Sequence, residues 1–222
     1  MLLPQSTVGR KILMAITGQL MLLYVIIHLL GNTTVYFNNL NAYAAALRAM
    51  PLLLWLVRLV MSAALVIHLY LGIVLTLENR KAKSGSYAVT SHISTTFAGR
   101  NMIWTGALIV AFLIYHLLHF TLQIIAPEFA AIRHPDALGR PDVFMMVVRG
   151  FQQSGTALLY VFFMATLLLH LTHGIQSSFQ TWGLNNDTSL PIITRGGQIA
   201  ATLLFLGYAS IPMVILAGIL KG

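Results

Sequence analysis

Five stretches of this 222-residue chain are apolar almost without interruption, and polar residues gather in the segments between them. About 20 residues of helix cross a hydrocarbon core of about 30 Å while satisfying every backbone group internally. The pattern predicts spanning helices over residues 12–31, 52–77, 102–125, 155–177 and 198–219. The first run follows Arg10-Lys11 as a signal peptide would, yet it leads into Gly31-Asn32-Thr33 without a small-residue cleavage pattern, so it reads as a mature helix. The fifth contains Pro212 and no histidine. Proline is tolerated in membrane helices, and packing beside the other four is its expected task. The expected fold is an all-α integral membrane protein, one membrane domain over 1–222.

Composition agrees with that solvent. The chain is 58% hydrophobic and only 8% charged, with a mean hydropathy of +0.82, against about 25% charged residues in soluble domains. Basic residues divide between the two sides. Arg10, Lys11, Arg80, Lys81, Lys83, Arg100 and Arg195 fall on the side of the N-terminus; Arg48, Arg58, Arg133, Arg140, Arg149 and Lys221 fall on the other. Three of the latter lie in the long third connection, and short loops weigh most in setting orientation. The expected topology is N-terminus inside and C-terminus outside. The net charge of +8 then reflects topology and anionic headgroups rather than nucleic acid.

The side-chain inventory narrows the chemistry. There are no cysteines, which excludes a thiolate-held iron–sulfur cluster, a disulfide and covalent haem attachment. Of the five acidic residues only Glu78 lies near a predicted span. A di-iron carboxylate bundle, which needs glutamates from facing helices, is excluded too. What the spans do hold is histidine: His28, His68, and the pairs His116/His119 and His170/His173. An ionisable side chain at membrane depth is costly without a partner or a task. Four imidazoles without carboxylates suit haem better than a hard cation.

An internal repeat separates the members of the two close pairs. Thr17-Gly18-Gln19-Leu20 runs on to His28, and Thr105-Gly106-Ala107-Leu108 runs on to His116, with glycine ten residues before histidine in both. His68 and His170 are each followed four residues later by glycine, Gly72 and Gly174. The first two helices thus correspond to the third and fourth. Residues four apart share a helix face, so Gly72 and Gly174 are expected beside the ring of a flat macrocycle. The repeat selects His28, His68, His116 and His170 as ligands. His119 and His173 read as groups facing a propionate or a quinone, while His92 and His134 lie in polar loops.

Depth pairs the four. At about 1.5 Å per residue, His28 lies about 26 Å beyond Lys11 and His116 about 24 Å beyond Arg100. His68 lies about 15 Å before Glu78 and His170 about 18 Å before Trp182. Two b-type haems stacked across the membrane are therefore expected, His28 with His116 outside and His68 with His170 inside, enclosed by four of the five helices.

Three segments carry a family resemblance: Ile27-His28-Leu29-Leu30-Gly31-Asn32, Val66-Ile67-His68-Leu69-Tyr70-Leu71-Gly72, and His170-Leu171-Thr172-His173-Gly174 running on to Thr181-Trp182-Gly183. Together, over essentially the whole chain, they resemble the cytochrome b membrane anchor of succinate dehydrogenase/fumarate reductase, in its single-chain, five-helix, two-haem type. The resemblance implies a bacterial-type cytoplasmic membrane, with a flavoprotein and an iron–sulfur subunit docked on its cytoplasmic side, against Glu78 to Arg100 and Trp182 to Arg195. It implies electron transfer between their clusters, the two haems and a membrane quinone, with menaquinone near the outer haem. Quinone-site candidates are His119, Arg58 and Asn32. Some family members carry carboxylates in or near the bundle. This chain has none in its predicted spans, which leaves water, Asp136, Asp142 or His119 to exchange protons. Two other readings of the same histidines are the haem b anchor of a hydrogenase or formate dehydrogenase, and a transporter that uses histidines for protons.

Overall fold

The computed structural model describes residues 6–82, 96–184 and 186–221; Lys83 and His92 lie outside the described residues. It is helical throughout, with no strand among the described residues. Five helical segments are long and apolar enough to cross a membrane. They are built on α1 (Thr7–Asn32), α3 (Pro51–Ala82), α5 (Met102–His116), α7 (Ser154–Thr181) and α8 (Ser189–Leu216). Shorter helices are α2 (Leu40–Arg48), α4 (Phe97–Arg100) and α6 (Val143–Gln152).

Helix ends follow local chemistry. The Ser6 hydroxyl accepts from the Gly9 amide at 3.0 Å and starts α1 five residues before the apolar run begins. Pro51 opens α3, where a missing N–H costs nothing. That helix runs on past residue 77 through Arg80 and Lys81, cations that suit a helix C-terminus. The third span ends earlier than the expected residue 125. After His116 the helix widens into a π turn, Leu117–Thr121. The chain then leaves helical geometry through Gln123 and Ala126, both at φ 54°. Pro127 follows, and a proline disfavours α geometry in the residue before it.

Helix α1 packs against α3 and α7; α5 packs against α7 and more sparsely against α3; α8 lies mainly along α7. One face carries the start of α1 and the end of α3, tied by Arg10 and Glu78 at 2.9 Å. The ends of α7 and the start of α8 lie there too, where Gly197 lets α8 close on Ile175. This is the near face, on the side of the N-terminus, and the opposite one is the far face.

The far face is capped by α2 and α6. Ten residues cannot span, but the sequence of α6 is strongly amphipathic and buries Met146, Val148, Gly150 and Phe151. Its N-terminus is capped by Asp142, which accepts from the Met145 amide at 2.9 Å and from Asn41 Nδ2 at 2.9 Å. Asn41 in turn accepts from the Phe144 amide at 2.8 Å, joining α2 to α6. Tyr43 of α2 lies where a side chain on Gly31 would stand. Beneath these caps sits the main cluster of buried apolar side chains: Val35, Leu40, Val148, Phe151, Ala157, Tyr160, Ile211 and Ile215.

Candidate functional site

The four histidines of the repeat meet as two pairs at two depths. The rings of His28 (α1) and His116 (α5) have centres 6.0 Å apart with planes at 85°. Those of His68 (α3) and His170 (α7) are 6.5 Å apart at 63°. All four are half-buried. Among the described residues no three or more His, Asp or Glu side chains gather closely enough to hold a metal ion by themselves. The histidines of the repeat come in twos, and each two could hold one metal-centred group between them.

The spacing provides a direct test of fit. A metal–imidazole nitrogen bond is about 2.0–2.1 Å and the nitrogen lies about 1.1 Å from its ring centre, so two imidazoles on opposite sides of one metal have centres about 6.3 Å apart. The two observed spacings lie on either side of that value. Neither α1 with α5 nor α3 with α7 makes extensive backbone contact, so each pair of rings meets across a gap between helices.

The surroundings of the pairs differ. In the near pair, His68 Nδ1 lies 3.2 Å from the Thr17 hydroxyl and His170 Nδ1 lies 3.1 Å from the Thr105 hydroxyl. Both threonines are buried. In the far pair, Tyr24 stacks on His28 at 5.6 Å and Tyr208 of α8 lies 6.2 Å from it. His116 is ringed by Phe112, Phe120 and Tyr160 at 5.7 to 6.0 Å. The Tyr208 hydroxyl donates to the Val25 carbonyl at 2.6 Å, which pins α8 to α1 at this level.

His119 is 6% exposed. It stacks on Phe120 at 4.1 Å, and its Nδ1 lies 3.2 Å from the Tyr160 hydroxyl. That hydroxyl is 3.5 Å from His116 Nδ1, so one phenol stands between the two histidines of the π-turn region. It is His116 that faces His28. His173 lies one turn beyond His170 against Gly99, with its Nδ1 buried and without a hydrogen-bond partner among the described residues.

The remaining candidates are spread out. The Asn32 amide donates to the His28 carbonyl at 2.9 Å and closes the end of α1. Arg58 is exposed, its guanidinium 5.0 Å from the Trp55 ring centre. An Arg–Trp pair of this kind suits a membrane interface. Asp136 accepts from Arg140 Nη2 at 2.7 Å and Nε at 2.8 Å, and from the Leu138 and Arg140 amides at 2.9 Å. Those hydrogen bonds, the Arg140 side chain first, hold its carboxyl below the usual carboxylate range. Asp136 and Asp142 are thus engaged in fixing the far-side loop. His134 is exposed in that loop, its Nε2 2.9 Å from the Glu128 carbonyl.

The glycines against the rings are those of the Thr-Gly repeat. A Cβ on Gly18 would lie 3.2 Å from His68 Cε1, and one on Gly106 would lie 3.7 Å from His170 Cε1. Gly72 faces the tip of Met14 at 3.6 Å, and Gly174 faces open space. Thr17, Thr105, Tyr160 and Tyr208 are the neighbours that sequence reading missed. The repeated Thr-Gly dipeptide was the signal for the first two.

These features define a five-span helical membrane protein with one histidine pair toward each face. No family model, curated protein or solved structure matches the chain.

Proposed function

We propose that the chain is a di-haem cytochrome b that carries electrons between the two faces of a membrane, His68 and His170 holding the near haem and His28 and His116 the far one. The observation that carries this reading is the doubled pair spacing of 6.0 and 6.5 Å, close to that required by a metal between two imidazoles. Bound there, b-type haems supply one-electron carriage.

The helix contacts support the same reading. They follow the order α1, α3, α5, α7 around a ring, so each pair spans a diagonal of a four-helix bundle, with α8 outside along α7. The residues around each pair set its polarity, which is one of the protein's means of tuning such a group. Protons that accompany quinone chemistry on the far side fall to His119 and Tyr160, because Asp136 and Asp142 are tied into the loop.

The particular complex rests on the resemblance of the three histidine segments: a membrane anchor of succinate dehydrogenase/fumarate reductase, with flavoprotein and iron–sulfur partners at the near face and a quinone, menaquinone by resemblance, as the membrane partner. In that complex the near face is cytoplasmic. Exposed Arg80, Lys81, Arg100 and Arg195 give it a positive docking surface.

The test is to purify the full chain from membranes with the soluble subunits that accompany it. The expected result is two low-spin haem b per chain, reducible by succinate through a flavin-containing partner. Reduction by hydrogen or formate instead would assign it to the other respiratory complexes. A chain with no haem band after expression with ample haem would overturn the reading in favour of histidine-dependent proton transport.

A further inference from the structure

The near pair is contacted in the same way twice, once in each half of the repeat. The Thr17 hydroxyl, 3.2 Å from His68 Nδ1, also lies 2.9 Å from the Leu13 carbonyl oxygen and 3.1 Å from that of Met14. The Thr105 hydroxyl, 3.1 Å from His170 Nδ1, lies 3.2 Å from the Asn101 carbonyl oxygen and 3.1 Å from that of Met102. A hydroxyl has one hydrogen and two lone pairs, while a carbonyl oxygen can only accept. Threonine within a helix commonly turns its hydrogen back onto these carbonyls. Its oxygen then meets the imidazole as an acceptor, and Nδ1 has to be the donor.

We infer that Thr17 and Thr105 are positioning residues that hold His68 and His170 in the tautomer with hydrogen on Nδ1, leaving each Nε2 as the bare nitrogen that a haem iron takes. The inference rests on the reading of this pair as haem ligands. Gly18 and Gly106 belong to the same device. Each follows its threonine and leaves room for the ring that the threonine holds, at 3.2 and 3.7 Å from a would-be Cβ.

A hydrogen bond donated from the second ring nitrogen fixes a ligand's orientation and raises its basicity. It therefore favours the ferric state and lowers the potential of the near haem. The far pair has no equivalent. The Tyr160 hydroxyl is 3.5 Å from His116 Nδ1 and shared with His119, and the His28 ring makes no hydrogen bond among the described residues. The far haem is thus an internal control in the same molecule.

The experiment compares Thr17→Val, Thr105→Val, Thr17→Ser and Thr105→Ser with the unaltered full chain. It follows haem retention, an optical redox titration and the low-spin electron paramagnetic resonance signals, the near component being the one lost in His68→Ala. The valine variants are expected to hold the near haem about 10–100-fold less tightly, to raise its potential and to shift its signal. Serine should restore all three, and the far component should stay fixed. Should a valine variant fail to accumulate, alanine against serine at the same position carries the same contrast. If the unaltered chain holds two haems and removing the hydroxyl leaves the near component unchanged, the inference is overturned while the functional reading stands. If the unaltered chain holds no haem, the reading itself falls, and the inference with it.

Discussion

Around His68 and His170 the neighbouring helices present a threonine hydroxyl and a glycine to each ring, whereas His28 and His116 are surrounded by Tyr24, Tyr208, Phe112, Phe120 and Tyr160. The far pair also adjoins the main buried cluster, through Tyr160, and lies under the α2 and α6 caps. Below the near pair the helices are closed by the ion pair of Arg10 with Glu78, the contact of Gln19 with Ser178 at 2.5 Å, and the packing of Gly197 on Ile175. One site is held by directed hydrogen bonds, the other by aromatic packing. Within lipid, packing and hydrogen bonds decide helix association because burial from a hydrocarbon solvent gains little. The same repeat has thus been stabilised in two physically different ways, and in the proposed reading the two haems differ in potential for that reason.

The contrast can be broken first at the far pair. His116→Ala should lower haem content from two per chain to one, whereas His119→Ala should leave two; haem extraction against protein concentration decides it. Loss of haem in the second variant alone would mean that the ring turned toward Tyr160 is the ligand. Next in size is Tyr160→Phe. It strips the partner from the buried His119 Nδ1, at a cost of about 1–3 kcal/mol. Thermal unfolding in detergent should show that loss, and only the far redox component should move.

A smaller effect separates the two halves of the near pair. Gly18→Ala puts a methyl 3.2 Å from His68 Cε1, a spacing the ring must yield to, while Gly106→Ala puts one at an ordinary 3.7 Å from His170. Overpacking of this kind costs about 1 kcal/mol or more. The near haem's spectrum should change in the first variant and hardly in the second; equal changes would contradict the difference between the two clearances.

The smallest effect concerns pH and the far-side loop. Asp136 has its carboxyl pKa lowered in the folded chain. Its contribution to loop order is therefore complete above the unfolded carboxylate value and is lost as pH falls through the lower folded value. Amide exchange across residues 133–142 should accelerate only in that acid window. Asp136→Asn should abolish the pH dependence without changing either haem.

The spans were legible because about 20 consecutive apolar residues have few alternatives. Their ends were less so: Ser6 and the Arg80-Lys81 turn extend helices past the apolar run, and the π turn with Pro127 cuts one short. The short α2 and α6 escaped notice, since nine or ten amphipathic residues cannot span and their apolar face declares itself only against a partner. The histidine repeat was plain, but the role of its Thr-Gly half was not. Periodicity reports which residues share a face of one helix, and Thr17-Gly18 and Thr105-Gly106 address histidines on another. Tyr208 was hidden for the same reason, on a helix with no histidine of its own.

The central claim is that the histidines pair across the repeat, by depth. Redox-resolved spectra of His28→Ala, His116→Ala, His68→Ala and His170→Ala test it most directly. The first two should lose one and the same haem component and the last two the other. Sorting by half of the repeat instead, His28 with His68 and His116 with His170, would contradict it, as would four variants that all keep both components.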